Sequence, residues 1–118
     1  MDIKVVKDSI SKNELEKIAS AGFGDVVKAV VNTEQEIMAV GGELHADEEA
    51  MLAEKFGSKR EHMWGINLYP KKSGEEWIEF DSMINIKPAQ GNRSRGVEDV
   101  KIREKVAKVV NKLVQHDS

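Results

Sequence analysis

Cysteine is absent from the 118-residue chain, and no apolar run approaches the length of a membrane span. Without cysteine there is neither a disulfide framework nor a thiolate site, so any metal would need His, Asp or Glu ligands. A membrane helix needs roughly 18 or more apolar residues in a row, and the first residues, MDIKVVKDS, lack the apolar core of a secretory signal. We therefore expect a cytoplasmic protein with no membrane association, and the length favours a single α+β domain over residues 1–118.

The chain also lacks an excess of positive charge. It has 21 acidic and 18 basic residues and a formal net charge of -3. Proteins that coat nucleic acid normally present a broad positive field, so this balance argues against that class. Two features favour nucleic acid, namely the short basic segment RSR, from Arg93 to Arg95, and one accessible aromatic residue.

Capping and periodicity predict the helices. Ser11 and Glu14 form a capping box, which places the start of a first helix near Ser11 and its end near Ala21. Leu44 to Phe56 reads as a second helix, followed by a glycine. A long terminal helix begins near Glu98, since apolar residues then recur at helical spacing.

Short β-prone runs fill the intervals between the helices. The predicted strands are residues 3–6, 25–31, 36–40, 63–69 and 76–87. The second and third strands are joined by the polar turn NTEQ and predict a central hairpin. The order β-α-β-β-α-β-β-α begins like a split β-α-β sandwich. We therefore expect a ferredoxin-like elaboration: a two-layer fold with a mainly antiparallel sheet of about five strands and three helices on one face.

The densest chemical signal is VGGELHADEE, from Val40 to Glu49. Two glycines before a helix start outline an anion-binding turn, but four acidic residues oppose a phosphate, and the spacing matches no phosphate-binding fingerprint. A divalent cation fits better, because His45 and Glu49 are four residues apart and Asp47 or Glu43 adds an oxygen. His45 and Glu43 are also candidate acid or base groups. The structural alternative is that these carboxylates cap the helix or are solvated.

A second polar region begins in the strand predicted for residues 76–87. Alternation there places Ile78 and Ile84 on a core face, and Asp81 and Asn85 on a polar face that Asn67 of the neighbouring strand would meet. A carboxylate beside two amides suits a polar ligand, although a solvated face is normal for an antiparallel sheet.

The irregular stretch that follows, residues 89–97, has the length of a ligand loop. Arg93 and Arg95 offer forked donors for carboxylate or phosphate, with Asn92 beside them as a further ligand residue. The internal alternative is that either arginine pairs with Asp81 or with the acidic start of the last helix and so holds the loop in place.

Three blocks of the chain, GGELHADEE, WGINLYP and EFDSMINIKPAQGNRSRGVED, resemble those of a small family of uncharacterised prokaryotic proteins classed as a domain of unknown function. The resemblance spans nearly the whole chain. It implies a stand-alone cytosolic domain, and it implies no activity, cofactor or catalytic residue.

The leading functional hypothesis is one cleft, lined by the His45 region and by the Arg93 and Arg95 loop, that binds a small anionic ligand directly or through a divalent cation. The enzyme alternative makes this cleft the site of a metal-assisted hydrolase or lyase. In it His45 or Glu43 is the acid or base, and Asp81 is a metal ligand or second base. Both hypotheses require the two polar regions to converge.

The third hypothesis is an interaction module without catalytic activity. In it an exposed Trp64 or Trp77, together with the valine-rich strands, forms a homodimer. The polar motifs would then serve only to fix loops.

Overall fold

The computed structural model describes residues 2–115. The helices are α1 (Lys12–Ala21), α2 (His45–Phe56) and α3 (Val100–Leu113). The strands are β1 (Lys4–Val6), β2 (Ile10–Ser11), β3 (Val27–Asn32), β4 (Ile37–Val40), β5 (Met63–Leu68), β6 (Ile78–Glu79) and β7 (Val114–Gln115). Between residues 2 and 115 no helix has both the length and the hydrophobicity that crossing a bilayer requires.

The helix boundaries follow the local signals in the sequence. Ser11 Oγ accepts the Glu14 N–H at 3.0 Å, so Ser11 caps the start of α1 as expected. The Glu14 carboxylate binds Lys4 Nζ and not the Ser11 N–H that a full capping box would engage. α2 begins one residue after the expected start and ends at Phe56, where Gly57 has a φ of 64°. Glycine adopts this left-handed conformation without the steric cost of a Cβ.

Five strands form one sheet in the order β1-β4-β3-β5-β6, with every neighbouring pair antiparallel. β2 and β7 form a separate parallel pair, in which Ile10 lies opposite Val114. The central hairpin predicted at NTEQ is β3 and β4, and both strands are buried on both faces. The α+β class, the mainly antiparallel five-stranded sheet and the three helices are confirmed.

Different helices cover the two faces of the sheet. Val27, Ala29 and Val31 of β3 belong to the core that α1 and α3 form with one face, whereas Val30 packs in a second core with Leu52 of α2. α1 and α3 thus make the expected two-layer sandwich with the sheet. The expectation that all helices lie on one face is wrong for α2.

The strand order explains this placement. The connections from β1 to β3 through α1 and from β4 to β5 through α2 each skip one strand, and both proceed in the same direction across the sheet. β1 and β4 are antiparallel. Because crossovers between parallel strands are right-handed, two crossovers in one direction from antiparallel strands put their helices on opposite faces.

The long strand predicted for residues 76–87 is wrong. Only Ile78–Glu79 pairs with β5, and a 3-10 turn, Met83–Asn85, follows. The predicted alternation fails as well, because Asn85 and Lys87, expected on the ligand-facing side, are buried.

A side chain replaces strand pairing beyond the end of β6. The Asn85 side chain accepts the Gly65 N–H at 2.8 Å and donates to the Gly65 carbonyl at 2.9 Å. It therefore satisfies the edge of β5 as a neighbouring strand would. Gly65 is needed for this close approach, since a Cβ there would lie 2.5 Å from the Ser82 Cβ.

Candidate functional site

A pocket of about 290 Å³ lies where the start of α2 meets β5 and the loops that follow β6. Its polar lining consists of Lys28, His45, Asn67, Asp81, Ser82 and Arg95, and its apolar lining of Leu44, Ala46, Met83 and Ile84. A larger groove, of about 580 Å³, runs beside α3, but no predicted site residue lines it. The smaller pocket is therefore the candidate site.

His45, the first residue of α2, is almost fully buried. Its Nε2 lies 2.8 Å from the carbonyl oxygen of Ile66, and since a carbonyl only accepts, Nε2 carries a proton. Burial lowers the pKa of His45 and so does the nearby Lys28, against the opposing effects of Ile66, Asn67 and Asp81. The imidazole is therefore neutral at neutral pH, with Nδ1 as its hydrogen-bond acceptor.

Both the side chain and the backbone of Arg95 are fixed by hydrogen bonds. Its Nε donates to the Asp81 carboxylate at 2.7 Å, and its carbonyl oxygen accepts from the Ser82 N–H and the Asn85 amide, each at 2.9 Å. Within residues 2–115 neither Nη atom of Arg95 makes a hydrogen bond. The guanidinium is thus oriented, and two of its nitrogens remain available for a ligand.

Two further sources of positive potential line the pocket. Lys28 of β3 makes no ion pair in the described part of the chain, and its Nζ lies 5.4 Å from the centre of the Phe23 ring. Leu44, at the N-cap of α2, makes no capping hydrogen bond, and the N–H groups of His45 and Ala46 have no acceptor among residues 2–115. Such amides attract anions because they carry the positive end of the helix dipole.

The acidic residues near the start of α2 oppose this potential less than their number suggests. Glu48 is fully buried, with Oε2 accepting the Gly42 N–H at 3.0 Å and Oε1 lacking a hydrogen bond. Burial raises the pKa of Glu48 to about 9, despite the opposing hydrogen bond from Gly42. This carboxyl is therefore uncharged at neutral pH. Glu43 and Asp47 are exposed and do not line the pocket.

Residues 4–113 match the family described as "Protein of unknown function (DUF5674)". The chain belongs to this family. The match confirms the resemblance to a domain of unknown function, and it includes every residue that lines the pocket. No curated protein and no solved structure matches the chain.

Four of the predicted site residues in this DUF5674 member line the same pocket, namely His45, Asn67, Asp81 and Arg95. His45 belongs to the first polar region of the sequence, and Asp81 and Arg95 belong to the second. The two regions therefore converge, as both ligand hypotheses require. The chemical roles of these residues stay predictions.

Three predicted ligand residues lie outside the pocket. Asn92 is buried; its amide donates to the carbonyls of Asn85 at 2.7 Å and Gly96 at 2.8 Å, and its Oδ1 accepts the Glu98 N–H at 2.8 Å. Asn85 is likewise buried and engaged, and Arg93 is exposed. Asn85 and Asn92 hold the loop in place through these hydrogen bonds, and Arg93 lies on its surface. None of the three lines the pocket that contains His45.

The predicted metal ligands His45, Asp47 and Glu49 do not form a cluster. Among residues 2–115 no three His, Cys, Asp or Glu side chains form a group that could hold a metal ion. His45 Nε2 is bonded to Ile66, and the buried Glu49 Oε2 lies 3.9 Å from the Arg60 Nε. The metal site and the metal-assisted hydrolase or lyase stay predictions without a supporting contact in this part of the chain.

Both tryptophans are buried, Trp64 in the centre of the sheet and Trp77 against the same core. The expectation of an exposed tryptophan is therefore wrong. The homodimer hypothesis named that tryptophan together with the valine-rich strands as its contact surface. The homodimer itself stays a prediction.

Sequence reasoning missed Lys28, Leu44, Ser82 and Met83, all of which line the pocket. One of them had a local signal, because Leu44 occupies an N-cap position where Ser, Thr, Asp or Asn is usual. For Lys28 we find no local signal, since a lysine within a valine-rich strand is ordinary. Only the pairing of β3 beside β5 brings it to Asn67.

Proposed function

We propose that the protein binds a small anionic molecule in the pocket between the start of α2 and the loops that carry Asp81 and Arg95. The observation that supports this is the convergence of three positive groups from distant parts of the chain: Arg95, Lys28 and the uncapped N-terminus of α2. The groups that line the pocket can hold and orient an anion without a metal ion.

The charges around the pocket favour an anion at neutral pH. Asp81 is the only carboxylate among the lining residues, against two cations. It is also paired with Arg95 Nε, and this bond fixes the orientation of the guanidinium group. His45 adds no charge, because burial keeps its pKa below the ordinary value. The net charge of the lining is positive, so the pocket attracts an anion.

The size of the pocket restricts the ligand. A volume of about 290 Å³ is near the lower end of the roughly 300–1,000 Å³ usual for small-molecule sites. A compact carboxylate or phosphate therefore fits better than a dinucleotide. Asn67 lines the pocket but offers the anion no donor, because its amide nitrogen donates to the Glu79 carboxylate and to the Asp81 carbonyl.

The test is a titration with acetate and with inorganic phosphate, followed by ¹⁵N NMR at low ionic strength. The amide signals of His45 and Ala46 are expected to shift in a saturable manner. Arg95→Gln should weaken binding of the preferred anion about tenfold or more, because a hydrogen bond to a charged group is lost. Arg93→Gln is the matched control, since Arg93 lies two residues away and does not line the pocket.

Equal affinities in the wild type, Arg95→Gln and Arg93→Gln would contradict the proposal, and so would the absence of saturable shifts at His45 and Ala46. Loss of folding does not confuse this outcome. The Arg95–Asp81 pair is largely exposed, and exposed pairs contribute little to stability.

A further inference from the structure

The rim of the pocket is apolar as well as charged. Four large hydrophobic side chains are exposed in the described part of the chain: Phe23, Leu44, Met83 and Val100. Two of them, Leu44 at 58% and Met83 at 64% exposed, line this one pocket. They come from different segments, so their proximity depends on the fold.

Within residues 2–115 the side chain of Leu44 neither packs in a core nor caps a helix. Leu44 is the N-cap residue of α2, and its side chain offers no acceptor to the helix amides. Ser, Thr, Asp or Asn at this position would stabilise the helix through a capping hydrogen bond. Such a polar cap would accept this bond from the N–H of Ala46 or Asp47, whereas leucine leaves the amide of Ala46 free among the described residues. Leu44 therefore keeps the helix start open and adds apolar surface beside it.

Met83 is similarly unexplained by packing. It begins the Met83–Asn85 turn, in which the Ile84 N–H donates the capping hydrogen bond to Ser82 Oγ. Ile84 and Asn85 point inward and are buried, while Met83 is exposed. Methionine is flexible and polarizable, so it adapts to apolar ligands of different shapes.

We infer that the ligand is an amphipathic organic anion, with a carboxylate-type head among Arg95, Lys28 and the α2 amides and a short apolar body covered by Leu44 and Met83. This rests on the proposed anion site and names the class of ligand that it takes. The charges account for the head, and the exposed leucine and methionine account for the body. An inorganic anion would bind the charged groups and leave Leu44 and Met83 exposed to water.

The inference is tested by comparing acetate with hexanoate, which share a head and differ by four methylenes. Each methylene that is buried strengthens binding by about fourfold. With the chain partly covered, hexanoate should bind the wild type at least about tenfold more tightly than acetate in the NMR titration.

Alanine variants separate the body from the head. Leu44→Ala and Met83→Ala should each reduce the hexanoate preference over acetate severalfold. Alanine is chosen at Leu44 because serine would itself bond the helix amides. Val100→Ala is the matched control, since Val100 is exposed but lines the other groove. Arg95→Gln should weaken both acids by the same factor.

Three results would overturn the inference in distinguishable ways. If acetate and hexanoate bind equally and both are weakened by Arg95→Gln, the anion site stands and the amphipathic ligand is wrong. If hexanoate is preferred but the preference survives both Leu44→Ala and Met83→Ala, its chain binds elsewhere and the inference is again wrong. If Arg95→Gln affects neither acid, the proposed function fails and the inference fails with it.

Discussion

Two polar clusters lie next to each other in this protein and differ in how fully their groups are bonded. In the loop cluster, the side chains of Asn85 and Asn92 are buried and bonded to backbone groups. In the pocket cluster, Arg95 has two unbonded Nη atoms, and the first amides of α2 lack acceptors within residues 2–115. The first cluster therefore determines structure, and the second retains groups that can bind a ligand.

The two clusters are physically connected. Asn85 donates to the Arg95 carbonyl at 2.9 Å, and Ser82, which lines the pocket, bonds the same oxygen through its N–H at 2.9 Å. Glu98 supports the loop as well, since its carboxylate accepts the N–H groups of Arg93 and Ser94, and these bonds lower the pKa of Glu98. The bonded cluster thus holds the backbone from which Arg95 reaches the pocket.

The largest effect on stability is expected for Asn85→Ala. This change leaves the N–H and carbonyl of Gly65 and the Arg95 carbonyl without the Asn85 amide. Unfolding by urea should show a loss of about 3 kcal/mol or more, because each unsatisfied buried group costs about 1–3 kcal/mol.

Asn67→Ala is the matched comparison on the pocket side. Asn67 donates to the exposed Glu79 carboxylate and to the Asp81 carbonyl, so water can replace both partners. We expect a loss below about 1 kcal/mol. Similar losses for the two alanine variants would show that the clusters do not differ in the way described.

A pH-dependent effect is expected for Glu48→Gln, at a group that is only half bonded. Its pKa of about 9 in the folded state lies above the ordinary value of 4.5. Between these pH values only the folded state holds the proton. Stability is therefore greatest in acid and falls as pH rises, by up to about 1.4 kcal/mol per pH unit.

Glu48→Gln removes this titration. Between pH 5 and pH 8 the free energy of unfolding of the variant should therefore depend less on pH than that of the wild type. The variant should exceed the wild type in stability most at pH 8. Urea unfolding at several pH values measures both. Glu54→Gln, at an exposed position of α2, is the control and should leave the wild-type slope unchanged. If Glu48→Gln kept the pH dependence of the wild type, a group other than Glu48 would be responsible for that dependence.

The smallest effect on stability is expected for Arg95→Gln, which is nevertheless the variant expected to weaken anion binding. Its ion pair with Asp81 is largely exposed, and such pairs contribute less than about 1 kcal/mol. The unfolding free energy should therefore change by less than about 0.5 kcal/mol. A larger loss would assign Arg95 to the bonded cluster.

Much of the fold was predictable because its signals are local. The Ser11 cap of α1, Gly57 after α2 and the NTEQ turn specify elements through contacts within a few residues. The strand predicted for residues 76–87 failed for the opposite reason. Its alternation is genuine in sequence, but Asn85 bonds the β5 edge at Gly65 and ends the pairing.

For the candidate site, the sequence indicated which residue types are present. It did not indicate which of them line the pocket and which are bonded within the loop. His45 and Arg95 stood out by their chemistry, and both line the pocket. Asn85 and Asn92 stood out equally and are bonded within the loop. Whether a polar side chain is bonded internally depends on partners far along the chain, so composition cannot separate the two groups.

Local signals in the chain specify the helices, the central hairpin and the α+β class, because capping and apolar periodicity act over a few residues. The family is also evident from the sequence, which matches it over residues 4–113. The face that α2 covers depends on the tertiary fold, since it follows from the direction of the second crossover. The tertiary fold also decided that Lys28, Leu44 and Met83 meet His45 and Arg95 at one pocket. Those residues approach one another only when the strands pair and the loops close on β5.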